Sequence, residues 1–309
     1  MKLPVFTAFG ASISYIAAHF LTLVRIAWLP ALLMMAAMVY FMPSMLDAQI
    51  SMAALEREGA VDQAAVFAAL GQSMKATGFV YLAAAIFYPM LFAGVLRHVM
   101  RGEAPRMLPF YLWFGADEFR VLIAYILLIV MFVIAGFAGV LGVMVAGLVT
   151  TLVSQTAGGV LTLVLMLALM VAFIWFALRM SLILPATVAD RAIGVGRSWQ
   201  VTKGAVWSLF FYWILWGVVF FVLGGVYFGV GASSLWALLP EMIAAGTDQA
   251  AMAEIEQRML QAQVDLYDMS KPGFWTYNIA TYVYLVLSTI FMAAAGGVAY
   301  RYLTGEERG

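Results

Sequence analysis

The chain reads as an all-α, polytopic membrane protein, with about six transmembrane helices plus interfacial and extracytoplasmic short helices. Three observations predict this class. Hydrophobic residues make up 65% of the 309 and charged residues 10%, where a soluble domain runs near ~45–50% and ~25%. Six apolar runs reach the ~20 residues that a helix needs to cross a ~30 Å hydrocarbon core. Lys and Arg alternate between the connections, crowding one side of the bilayer. A mean hydropathy of +1.00 agrees.

Residues 1–309 form a single integral membrane domain, with spans near 21–42, 76–96, 121–149, 158–184, 206–232 and 276–301. None carries Asp or Glu in its middle. The third, fourth and fifth exceed the minimum length, so tilted or interfacial ends are expected. Pro30 and Pro89 fall inside the first two spans, where neighbouring helices can tolerate a kink. The first run carries Arg25 and no small-residue cleavage pattern follows it, so it reads as a retained span rather than a signal peptide.

Before span one, Phe6, Phe9, Ile13, Ile16 and Phe20 recur at helical spacing. This stripe predicts an interfacial helix on the cytoplasmic surface. The segment 107–120, "MLPFYLWFGADEFR", reads as a second surface segment. Its aromatics are expected at headgroup level, and Asp117, Glu118 and Arg120 in water. The outside loops 43–75 and 233–275 are acidic and rich in Ala, Met and Gln, which favours short amphipathic helices. In 233–275, Met252, Ile255, Met259, Val264 and Leu266 lie at mostly helical spacing.

Orientation follows from the cations. Twelve of the sixteen Lys and Arg residues fall on one side. They lie at the N-terminus, in the loop after span two (Arg97, Arg101, Arg106, Arg120), in the loop after span four (Arg179, Arg191, Arg197, Lys203) and at the C-terminus. Arg57, Lys75, Arg258 and Lys271 lie on the other side. The positive-inside rule then places both termini in the cytoplasm of a bacterial inner membrane.

Most catalytic chemistry lacks a sequence signature. No Cys is present, so thiolate nucleophiles and disulfides are excluded. The two histidines, His19 and His98, have no carboxylate at metal-ligand spacing, so no metal and no cofactor is expected. Ser198 has no evident base, and "GVG" at 194–196 lacks a phosphate-loop continuation. A net charge of zero favours no nucleic-acid partner. Asn278, Thr281 and Ser288 in span six suit interhelical hydrogen bonds, or the lining of a mid-depth cavity in a transporter or channel. Gly225 and Gly229, Gly136 to Gly142, and Ala293 to Gly297 suit close helix packing, with a dimer seam or a pocket as the alternative, and a membrane-protein partner or a homodimer is a further expected partner.

The stretch 179–204, "RMSLILPATVADRAIGVGRSWQVTKG", is the most distinctive. If 191–203 were one continuous helix, Arg191, Arg197 and Lys203 would stand six residues apart. Each such step rotates about 240°, so the cations would share no face. A break is expected instead, with the span leaving near Pro185, a short surface helix starting near Asp190, Trp199 anchoring it and Gly204 ending it. The cations Arg179, Arg191, Arg197 and Lys203, joined by Arg101 and Arg106, form a candidate site for an anionic lipid headgroup. The expected partners are therefore membrane lipids.

Over about 30 residues the chain resembles a pattern found in bacterial multi-helix membrane domains. These include the membrane domain attached to some glycerophosphodiester phosphodiesterases and related uncharacterised membrane proteins. Arg179, Ser181, Pro185, Arg197, Ser198, Trp199, Thr202, Gly204 and Trp207 carry the match, and Asp190 stands where Glu is commoner. The phosphodiesterase barrel has no counterpart in this sequence. The resemblance therefore implies a membrane domain without the enzyme: a non-enzymatic accessory or scaffold. The alternatives are a transporter or channel for a small or lipidic substrate, and a headgroup-acting membrane enzyme.

Overall fold

A computed structural model describes residues 2–58, 63–103, 112, 114–151, 154–231 and 236–305. The elements are α1 (Val5–Glu58), α2 (Gln63–Arg101), α3 (Ala116–Thr151), α4 (Gln155–Met180), α5 (Ile183–Asp190), α6 (Val195–Val201), α7 (Val206–Gly231), α8 (Leu239–Ala245), α9 (Gln249–Asp265) and α10 (Gly273–Thr304). Six of the helical stretches are long and apolar enough to cross a membrane. The chain is an all-α polytopic membrane protein. Its basic end gathers the starts of α1, α3 and α7 and the ends of α2, α4 and α10, together with α5 and α6.

Residues 5–20 do not form a separate surface helix. They run unbroken into span one as the start of α1. The reason lies on the face flanking the aromatic stripe. Ala8, Ser12 and Ile16 are buried, whereas Phe6, Ile13 and Phe20 are exposed. Ser12 Oγ lies 2.8 Å from Tyr212 Oη of α7, and Tyr212 Oη donates to the Ala295 carbonyl of α10 at 2.8 Å. Small side chains let these helices approach, so packing holds this segment in the bundle. The same device recurs elsewhere in the bundle. A Cβ on Gly94 would fall 2.6 Å from Ile26 Cγ2, and one on Gly297 would fall 2.6 Å from Val99 Cγ1.

The expected outside loop 43–75 is also mostly long helix. α1 and α2 continue past their spans as a hairpin, joined by Gln72 Nε2 donating to Ser44 O at 3.3 Å and by stacked Phe41 and Phe79. Segment 233–275 contains the expected short helices. Asp248 caps α9 by accepting from the Ala250 and Ala251 amides at 3.0 and 3.3 Å. Arg258 pairs with Glu241, tying α9 to α8. Beyond α9, the Ser270 amide at 2.9 Å from Asp268 Oδ1 holds that carboxyl below its usual range.

The hairpin of α3 and α4 presents its middle to lipid, with Phe137, Leu141 and Leu167 exposed. Gly136 and Gly139 face Phe173 and Leu169 across this hairpin, so these small residues serve intramolecular packing. Gly225 and Gly229 of α7 face open space instead. The polar residues of the last span are taken up by backbone carbonyls of α10 and the turn before it, and Thr281 also reaches Tyr227 Oη of α7 at 3.4 Å. Asn278 lies in the second turn of α10 and donates to Leu266 O and Phe274 O, both at 2.8 Å. Thr281 donates to Tyr277 O at 2.8 Å and Ser288 to Leu285 O at 3.2 Å.

Candidate functional site

The stretch 179–204 is a folded joint. The helix of span four does not exit at Pro185. It breaks at Ser181–Leu182, and Pro185 lies inside α5. A proline ring clashes with the carbonyl four residues earlier and cannot donate to it. Here that carbonyl belongs to Ser181, so the break falls one turn before the proline. Asp190 ends α5 rather than starting the surface helix, which begins at Val195. Arg191 then reverses the chain in the left-handed region, with φ 53°, a conformation costly for a side chain with a Cβ.

Three polar side chains close the joint. Thr187 Oγ1 donates to Ile183 O at 2.7 Å and accepts from the Gly194 amide at 3.0 Å, pinning α5 to the turn that starts α6. Ser198 Oγ donates to Arg179 O at 2.8 Å, and Thr202 Oγ1 lies 3.3 Å from the same oxygen. Both hydroxyls are buried. They satisfy a carbonyl that the broken α4 would otherwise leave without a partner. Gly204, with φ +81°, turns the chain into α7. Thus Ser198, Thr202 and Gly204, singled out by sequence pattern, act on the backbone.

The candidate headgroup cations are not brought to one place. Arg101 and Arg191 meet in a crevice of about 400 Å³ between α2, α3 and the end of α5, with Arg97, Glu103, Asp117, Glu118 and Arg120. Arg197 lies 3.5 Å from Asp190, and its Nε donates to Tyr300 Oη at 3.2 Å. Arg179 and Trp199 stack beside α4, with the guanidinium carbon 4.2 Å from the ring centroid. Lys203 is exposed beyond α6, and Arg106 lies outside the described residues.

Asp117 and Glu118 do not face water as expected. Glu118 is fully buried and Asp117 nearly so. They occupy the first turn of α3 and meet arginines in the last turns of α2, each favourable to its helix dipole. Glu118 pairs with Arg97 and reaches back to accept from the Gly115 amide at 2.9 Å, half of a capping box. Asp117 binds Arg101 at 2.8 Å and Arg120 at 3.0 Å. Arg101 also donates to Val188 O of α5 at 2.7 Å, so the network clamps α2, α3 and α5. Sequence reasoning missed the acids because adjacent Asp and Glu beside aromatics resemble a solvated turn. The spacing of Arg97 and Arg101, one turn apart on α2, was the available signal.

Below the joint lies an apolar cleft of about 530 Å³ between the α3–α4 hairpin, α7 and α10. Ile183, Leu184 and Pro185 of α5 line it on the side of the basic end, and Tyr125, Ala177 and Trp213 are among its other lining residues. The two histidines of the chain also meet. Their ring centroids are 5.2 Å apart, with Tyr15 stacked on His19 at 4.4 Å. Among the described residues, no three His, Asp or Glu form a metal-ligating group.

Comparison of the chain with protein-family models, curated proteins and solved structures finds no match.

Proposed function

We propose that this protein is a non-enzymatic accessory or scaffold of the bacterial cytoplasmic membrane, with both termini cytoplasmic, that holds anionic lipid at its cytoplasmic face. The observation carrying this reading is the crevice at the basic end. Four guanidiniums, from Arg97, Arg101, Arg120 and Arg191, surround an opening of about 400 Å³ against the three carboxylates of Glu103, Asp117 and Glu118. The surplus cation is Arg191, which is exposed and held on a left-handed turn. A phosphate at headgroup depth complements that surplus. The resemblance of 179–207 to membrane domains of the glycerophosphodiester phosphodiesterase type supports the same non-enzymatic reading.

A second reading, a carrier for a lipidic substrate, is favoured by the 530 Å³ apolar cleft, whose size suits a small-molecule site. One experiment addresses both. Lipids retained through purification are quantified by mass spectrometry for the wild type, Arg191→Glu and Ala177→Trp. The first reading expects Arg191→Glu to lose anionic lipid several-fold while Ala177→Trp keeps it. Loss of retained lipid only in Ala177→Trp, which fills the cleft, would replace the first reading with the second.

A further inference from the structure

Arg179 is 5% exposed, and among the described residues no carboxylate lies within ion-pair reach of it. The described acids of the basic end are already engaged: Glu118 by Arg97, Asp117 by Arg101 and Arg120, Glu103 by Arg101, and Asp190 by Arg197. The guanidinium makes no hydrogen bond among the described residues, and its Nε is fully covered and without an acceptor. What it does have is aromatic. Trp199 lies 4.2 Å from the guanidinium carbon and Trp175 lies 5.8 Å from it, and these two rings meet edge to face at 5.4 Å.

A cation–π contact is worth about 0.5–2 kcal/mol. Withdrawing an ion from water costs several kcal/mol. The rings alone therefore do not offset the desolvation of Arg179. The carbonyl dipoles at the end of α4 favour a positive charge there but offer it no hydrogen-bond acceptor. An anion at the terminal nitrogens, which are not fully covered as Nε is, would supply one. Trp175 and Trp199 are themselves 45% and 37% exposed, so the cage is open on its outer side. Tryptophans of this kind sit at headgroup depth. The planar fork of a guanidinium matches two oxygens of one phosphate, and its stack on Trp199 fixes the plane of that fork.

We infer that Arg179, caged by Trp175 and Trp199, binds a phosphate group at the basic end of the bundle. This goes beyond the crevice reading, because it is a second anion site on different elements, α4 and α6 rather than α2, α3 and α5. The shared chemistry is a phosphate oxyanion, supplied by a phospholipid headgroup or by free phosphate.

Native mass spectrometry of the purified full chain in detergent tests it, with phosphatidylglycerol, phosphatidylcholine and inorganic phosphate as probes. For the wild type, phosphatidylglycerol is expected to bind at a site that Arg179→Gln weakens by about tenfold to a hundredfold, as for lost hydrogen bonds to a charged group. Arg179→Lys keeps the charge but loses the fork, and should fall between the two. Arg191→Glu should leave this site unchanged. Displacement by inorganic phosphate would identify the phosphate group alone as the ligand. Resistance to displacement, with the Arg179 dependence intact, would identify the lipid headgroup. Equal binding by wild type and a folded Arg179→Gln would overturn the inference. If Arg191→Glu then abolished binding, the crevice reading would stand without it. Should Arg179→Gln fail to fold, Arg179→Lys binding as tightly as wild type would overturn the fork assignment by itself.

Discussion

Arg97→Ala is expected to lower the unfolding free energy by about 3–5 kcal/mol, the usual result of removing one partner from a buried ion pair. The variant strands Glu118, whose side chain is fully buried and keeps only the Gly115 amide as a partner. Arg97 also faces Asp117 at 3.9 Å, so its loss removes charge from both acids of the α3 first turn. The double variant Arg97→Ala/Glu118→Ala should cost clearly less than the two single losses added together, because neither charge is then left alone. Denaturant unfolding in detergent, followed by helical circular dichroism, reads both quantities. A single-variant loss below ~1 kcal/mol would mean that water reaches Glu118 and that the clamp does not hold α2 against α3.

Gly194→Ala is expected to destabilise by about 1–3 kcal/mol, the range for overfilling a packed site. A Cβ there would lie 2.6 Å from each of Ile183 O, Thr187 N and Ala186 Cβ. Two of these atoms are backbone and cannot swing away as a long side chain could. Relief requires α6 to move off α5, which also breaks the hydrogen bond from the Gly194 amide to Thr187 Oγ1. Gly196 is the internal control. It lies two residues on, inside α6, and nothing comes within 4 Å of its added Cβ. Gly196→Ala should therefore be neutral or slightly stabilising, since Ala is the better helix former. Equal effects at the two positions would contradict the packing of the joint.

Hydrophobic length was enough to read the six spans, because it depends on composition over ~20 residues rather than on a particular contact. Helix ends were less legible. Residues 5–20 read as interfacial because large aromatics dominate their pattern, yet the buried face is the one of Ala8 and Ser12. In a bilayer the closest packing is made by small residues, and the large ones can face lipid. The break after span four was anticipated near Pro185, but a proline acts on the carbonyl four residues before it, which moved the break to Ser181–Leu182.

The candidate site was legible in its residue types and not in its grouping. Arg179, Arg191, Arg197 and Lys203 are close in sequence, but two helix breaks send them to different faces. Whether each cation is free depends on acids from other segments: Asp117 and Glu118 from α3 for the crevice arginines, and Asp190 for Arg197. No local pattern reports those pairings. Arg179 is distinctive because the described acids of its end are engaged by other arginines.

The anion sites of the basic end act at the cytoplasmic leaflet only when that end faces the cytoplasm. The chain contains no cysteine, so single substitutions report its sidedness without background. Lys203→Cys, exposed after α6, and Glu254→Cys, exposed on α9, can each be probed with a membrane-impermeant maleimide. Labelling of Glu254→Cys in intact spheroplasts, and of Lys203→Cys only in inverted vesicles, is the predicted result. Labelling of Lys203→Cys from outside, or of both positions from one side, would contradict it.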